Sequence, residues 1–379
     1  MRFFLLIFFI YQPCFAVKNL DLNDVSVLFP LPLVNNWDQL IKADHQAKKG
    51  KLLPAEFFKK IPSLVITPSN EILYKDIRVM GMRFDPCFHE GSAPVQCKQQ
   101  IRLTMQPLEN VRGVTSTFDA SLHLFYDLNA EEFKEFIGKI SLLKAEFSSK
   151  DEILPLGVNP FLKKDGLQSD YFKKLTSLVF EYTGESVLSR ITFMQVLGSG
   201  RVWDFGGFDI IDKEMKAINI PRVDSQTQRF INGGVDPRPV WFLGGIVPEP
   251  TAEENLNILI RDSRILAPQH EAEIIAAAKA AFRFENPNFH NPGTIDCVSC
   301  HVAQSAKNYT LRQFPWYNVD LVSFKDIYTN AERNLRNLSP MQTHTNILRS
   351  FGYFKNQPIV SNRTINESSE VLKYLNQNY

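Results

Sequence analysis

The apolar residues of this chain repeat at two different spacings, and that division limits the fold more than any other feature. Upstream, Ile101, Leu103 and Met105 alternate with Arg102, Thr104 and Gln106. Ala120, Leu122, Leu124 and Tyr126 alternate likewise, leaving His123 on the opposite face as a structural histidine. A period of two marks a half-buried strand. Segments 190–197 and 201–210 flank Gly198-Ser199-Gly200, which predicts a hairpin. One helix is expected among these strands. Asn129 with Glu132 forms a capping box, followed by Phe133, Phe136, Ile137, Ile140 and Leu143 at helical spacing. Beyond Pro248-Glu249-Pro250 the spacing becomes mainly helical. Pro268 opens a segment in which Ile274, Ala278 and Phe282 recur at every fourth position. Ser323 with Asp326 predicts a helix through Ile327, Tyr328, Ala331, Leu335 and Leu338. Thr364 with Glu367 predicts a last helix burying Val371, Leu372 and Leu375. The expected class is α+β, with a mixed α/β domain over residues 17–250 and a mainly helical domain over 251–379.

The first 16 residues stand apart. Arg2 precedes the apolar run Phe3 to Ile10, and Cys14-Phe15-Ala16 offers a small-residue cleavage point. These are the parts of a secretory signal, and the run is too short to span a bilayer as a helix. The expectation is an exported, periplasmic protein with no transmembrane anchor once residues 1–16 are removed. Its 42 basic and 41 acidic residues balance almost evenly, so no electrostatic footprint for nucleic acid is visible.

Removal of the leader would take Cys14 and leave two cysteine pairs. Cys87 and Cys97 bracket a turn-rich stretch containing His89, Gly91 and Pro94, and export permits a disulfide between them. The second pair lies in Cys297-Val298-Ser299-Cys300-His301. C-x-x-C-H is the attachment motif of c-type haem. Its spacing puts two thiols on one helical turn, each able to form a thioether with a vinyl group, with the histidine beside them to ligate iron. A strained Cys297–Cys300 disulfide, a thioredoxin-like site and a zinc half-site are the competing readings. None has supporting context: there is no βαβ pattern around the motif and no second ligand pair.

On these residues, the stretch from about 255 to 379 resembles a monohaem c-type cytochrome domain. The resemblance implies haem c bound through Cys297 and Cys300, with His301 as proximal iron ligand. It also implies a downstream distal ligand. Met341, after Pro340, suits that position; His344 is the alternative, and His290 from the upstream loop is a third. A vacant sixth site is a further option. The aromatics Trp316, Tyr317, Phe351, Tyr353 and Phe354 either line the haem pocket or fill ordinary core.

Residues 17–250 contain no phosphate loop, nucleophile elbow or second metal motif. Asp204, Asp209 and Asp212 are spread along a strand and its end, which suits surface or turn roles. The leading expectation is therefore electron transfer to a redox partner protein in the cell envelope. A haem enzyme or ligand sensor with an open sixth site is the second reading. A disulfide-stapled binding protein without haem is the third.

Overall fold

A computed structural model describes residues 19–86, 98–148, 154–197, 202–231 without 222 and 224, 271–313 without 292, 324–329 and 348–379. Its centre is a nine-stranded antiparallel sheet. The main path runs β1 (Ser26–Leu28), β4 (Ile77–Asp85), β5 (Gln99–Val111), β7 (Ser121–Leu128), β8 (Leu188–Leu197), β9 (Val202–Ile211) and β10 (Glu214–Ala217). In addition β6 (Val114–Thr117) pairs with β5, and β11 (Thr227–Ile231) pairs with β9. Two short hairpins complete the strands: β2 (Gln46–Ala47) with β3 (Gly50–Lys51), and β12 (Phe351–Phe354) with β13 (Gln357–Val360).

The alternation read from the sequence is what the register aligns. Val27, Met82, Leu103, Leu124 and Ile191 pair in succession across five strands and form one apolar row. On the opposite face the equivalent row is Ser26, Arg83, Arg102, Phe125 and Arg190. The hairpin expected across Gly198 to Gly200 is present as β8 and β9, closing with Leu197 opposite Val202.

The apolar face is covered by α4 (Ala130–Phe147) and α6 (Asp170–Tyr182), with α2 (Ala55–Lys60) and α3 (Asn70–Asp76) in the same body. The α4 capping box forms as expected, with Asn129 accepting from Glu132 N at 2.9 Å and Glu132 reaching back to Asn129 N. Phe133, Phe136, Ile137, Ile140 and Leu143 are all buried. Phe136 packs edge-on to Phe84 at 4.8 Å and to Tyr182 at 5.4 Å. Asn129→Ala is expected to lower stability by about 1 kcal/mol, read as a lower urea midpoint with an unchanged m-value.

The polar face is covered by the end of the chain. The last helix, Asn362–Asn378, has Ser368 Oγ 2.7 Å from Ser26 Oγ. Its Glu367 lies among Arg83, Arg102 and Arg363. Gln106 bonds the backbone of Tyr353 through both ends of its amide, at 2.9 and 2.7 Å. Phe351 lies over Gly81, where an added Cβ would come within 2.7 Å of its ring. One hydrophobic core thus joins residues on both sides of position 250.

Some details differ from expectation. The last helix starts earlier, with Ser361 as N-cap accepting from Thr364 N at 3.2 Å, because Glu367 is drawn to the arginines and not back to Thr364. Val371, Leu372 and Leu375 are buried as expected. Ile327 and Tyr328 are not helical and Asp326 pairs with Arg283; Ser323, Ala331, Leu335 and Leu338 lie outside the described residues. Phe351 and Tyr353 are ordinary core, both 3% exposed. Asp204 and Asp209 pair with Arg229 and Arg190, and Asp212 takes a left-handed turn conformation at φ 52°. The leader, the Pro248-Glu249-Pro250 boundary, Trp316 and Tyr317 lie outside the described residues. No helix among the described residues is long and apolar enough to cross a membrane.

Candidate functional site

Two helices packed on each other lie at the sheet's second face, and the second carries the C-x-x-C-H motif. They are numbered here α7 (Glu271–Phe284) and α8 (Cys297–Gln313), with α9 for the last helix, Asn362–Asn378. The buried stripe of α7 runs through Ala278, Ala281 and Phe284, while Phe282 is half-buried under the Lys307 ammonium, 4.9 Å from its ring. Lys307 also forms a buried ion pair with Glu285, which fastens α8 to the end of α7.

The motif opens α8, and the residue before it explains why. Asp296 acts as N-cap, its Oδ2 accepting from Ser299 N at 2.9 Å. Gln228 of β11 clamps the same turn, donating to Asp296 Oδ2 at 2.8 Å and accepting from Val298 N at 3.0 Å. Burial raises the Asp296 pKa, against the Ser299 and Gln228 hydrogen bonds. Asp296→Ala is expected to cost about 1–2 kcal/mol through loss of this cap. A urea midpoint indistinguishable from wild type would show that the clamp contributes nothing.

Cys297, Cys300 and His301 are spaced so that all three share one face of α8. By surface area each is half-buried, while Val298, Ser299, Val302 and Ala303 are buried against the protein. Cys297 and Cys300 pack against the apolar cluster of Met194, Trp203 and Phe205. The thiols are free. Burial pushes Cys297 up to about 12, with Asp296 adding to it, and Cys300 up to about 11. Thiols held protonated in this way are the reverse of the activated thiolate that a redox-exchange site needs.

His301 is the most constrained of the three. Its Nδ1 donates to the Leu348 carbonyl, and Ser350 Oγ stands 3.3 Å from the same nitrogen. The carbonyl can only accept, so the proton sits on Nδ1 and Nε2 keeps a lone pair. Burial pushes the imidazole down to about 4; the Leu348 bond opposes this, and the charge of Arg349 adds to it. A neutral imidazole with its second nitrogen fixed on a backbone carbonyl is the usual arrangement of a metal-ligating histidine. Phe205 of β9 closes one side, its ring 4.9 Å from the imidazole.

Compared with known protein families, characterised proteins and solved structures, this chain matches none. The site is therefore read from its own chemistry.

That chemistry fits covalent haem. Two free thiols one turn apart and an oriented imidazole share one face of a helix. Apolar walls surround them: Met194, Trp203, Phe205, Phe230 and Leu348 are buried in the cluster against which Cys297 and Cys300 pack. A third observation is Arg349, whose side chain is 1% exposed. Its Nη2 donates to Asp119 at 3.1 Å, and Asp119 also accepts from Trp203 Nε1 at 3.0 Å. Arg349 Nε and Nη1 have no hydrogen-bond partner among the described residues. Buried guanidinium nitrogens want a carboxylate, and haem carries two propionates.

Of the expected site residues, the structure brings together Cys297, Cys300 and His301. Met341, His344, Cys87 and Cys97 lie outside the described residues. His290 is buried, with its ring 5.1 Å from Phe284 and its carbonyl accepting from Arg363 Nη2 at 2.5 Å. Sequence reasoning missed Arg349, Gln228 and the Leu348 carbonyl, none of which has a local signature. Asp296 did have one, as an N-cap residue directly before a helical motif.

Proposed function

We propose that this chain is an exported c-type cytochrome that binds one covalent haem c and passes single electrons to a redox partner protein of the cell envelope. In this reading residues 251–379 are the haem-bearing, cytochrome c-like part and residues 17–250 the mixed α/β part. The observation that carries it is His301, held with Nδ1 on the Leu348 carbonyl beside two free thiols of the same face. Haem would supply a one-electron iron couple, the chemistry that the protein side chains lack. Cys297 and Cys300 would each add S–H across one vinyl group, forming a C–S bond with the hydrogen passing to the adjacent vinyl carbon. His301 would supply the proximal nitrogen, and Arg349 would hold a propionate. The apolar walls around the motif would limit water at the iron, which favours electron transfer over ligand exchange.

The test is the mass of the full chain made in a host that exports it and matures c-type haem. The expected product has lost its leader and gained one haem, with the pyridine haemochrome band of two thioethers. A chain without haem and with a Cys297–Cys300 disulfide would select the binding-protein reading instead.

A further inference from the structure

We infer that His123, from the middle of the β-sheet, is the second axial ligand of the haem, so that the iron is held between an imidazole of the sheet and one of α8. This rests on the covalent haem proposed above.

The strand register places His123 on the correct layer. It pairs with Thr104 of β5 and Thr192 of β8. Met194 is two residues from Thr192 and pairs with Phe205 of β9. Alternation puts His123, Thr192, Met194 and Phe205 on one face of the sheet. That face lies against α8, because Met194 and Phe205 pack in the cluster with Cys297 and Cys300, and the Phe205 ring is 4.9 Å from His301.

The surroundings of His123 are those of a ligand in waiting more than of a core residue. By area it is half-buried, although it sits in a central strand beneath a helical layer. Its Nδ1 is 3.4 Å from Thr192 Oγ1, a loose contact with an acceptor-capable hydroxyl. Donation from Nδ1 to that hydroxyl leaves Nε2 with its lone pair, as the Leu348 carbonyl does for His301. A second ligand from the sheet also gives residues 17–250 a part in the haem site.

The test uses the full-length holoprotein in the ferric state. Near-infrared magnetic circular dichroism and electron paramagnetic resonance distinguish bis-imidazole, imidazole–thioether and high-spin haem without any variant. A bis-imidazole spectrum is expected. An imidazole–thioether spectrum, which would point to Met341, or a high-spin spectrum overturns the inference. His123→Ala should convert the haem to high spin, and added imidazole should restore low spin. A His123→Ala protein that stays bis-imidazole overturns the assignment. Should that variant fail to fold, the other five of the seven histidines besides His301 and His123 are replaced singly by Gln. Retention of the bis-imidazole spectrum in all five supports His123; its loss in any one, His344 and His290 included, overturns it. A chain recovered without haem removes the underlying proposal, an outcome distinct from haem bound with another ligand.

Discussion

Replacing Cys297 and Cys300 together with serine is expected to abolish covalent haem attachment. All haem recovered with the variant should then extract into acidified organic solvent, and the chain should show no haem adduct by mass. Each single serine variant should retain one thioether and shift the pyridine haemochrome band in the direction of fewer saturated vinyl groups. The structure gives a reason to expect the fold to survive these changes: Cys297 and Cys300 are only half-buried, whereas the buried side of α8 is formed by Val298, Ser299, Val302 and Ala303. His301→Ala goes further, because it removes the imidazole that the Leu348 carbonyl orients and that is proposed to ligate the iron. Full covalent haem in the Cys297→Ser/Cys300→Ser double variant would sink the functional proposal outright.

The second large effect is one of stability. Glu367 of α9 is 10% exposed and stands 3.4 Å from Arg83, 3.3 Å from Arg102 and 3.7 Å from Arg363. Asp85 pairs with Arg102 in the same cluster. Three guanidinium groups share two carboxylates here, and Glu367 is the one that touches all three. Removing one member of a buried ionic group strands the others, at a cost of about 3–5 kcal/mol. Glu367→Gln is expected to lose about that much in urea unfolding. Burial alone would raise the Glu367 pKa; Arg83, Arg363 and Arg102 outweigh it and hold the carboxyl at about 2, against 4.5 for an ordinary glutamate. A depressed pKa adds stability above the unfolded value, and that stability is lost as pH falls from about 4.5 toward about 2. Wild-type protein should therefore weaken across this window, and Glu367→Gln should show a smaller slope there. Equal slopes for the two proteins would mean that another group governs acid unfolding.

These arginines explain a feature of the sheet that alternation alone does not. A surface strand puts polar residues toward water. Here Arg83, Arg102 and Gln106 occupy the polar positions of β4 and β5, yet α9 and the β12–β13 hairpin cover them. The second layer is held on by ion pairs and amide bonds in addition to the apolar contacts of Phe351, Val371 and Leu372. The Lys307–Glu285 pair between the two helices of the motif follows the same plan. Such polar contacts contribute less net stability than apolar packing of equal area, but they fix one relative placement of the layers.

The strands, their faces and the β8–β9 hairpin were legible because period-two alternation is a local property of the chain. So was α4, whose cap and apolar stripe lie within a few residues of one another. Reading failed where a residue had a partner far away. Thr364 and Glu367 have the spacing of a capping box, but Glu367 is claimed by arginines more than 260 positions upstream, Arg102 among them at a separation of 265. Phe351 and Tyr353 gave an ambiguous signal because aromatic residues suit a cofactor pocket and a core equally; packing over Gly81 and Phe29 put them in the core.

For the candidate site the division follows the same line. C-x-x-C-H states its chemistry within five residues, since the thiols and the imidazole must share one helical turn to act together. Sequence alone determined that motif and its place on one face of a helix. Only the tertiary structure decided what surrounds it: the Leu348 carbonyl that fixes the His301 tautomer, the Gln228 clamp on the first turn of α8, the buried nitrogens of Arg349, and a sheet face carrying His123 on the same side. Those contacts join positions 47 to 230 residues apart, and hydrogen bonds over such separations leave no periodic trace in the chain that makes them.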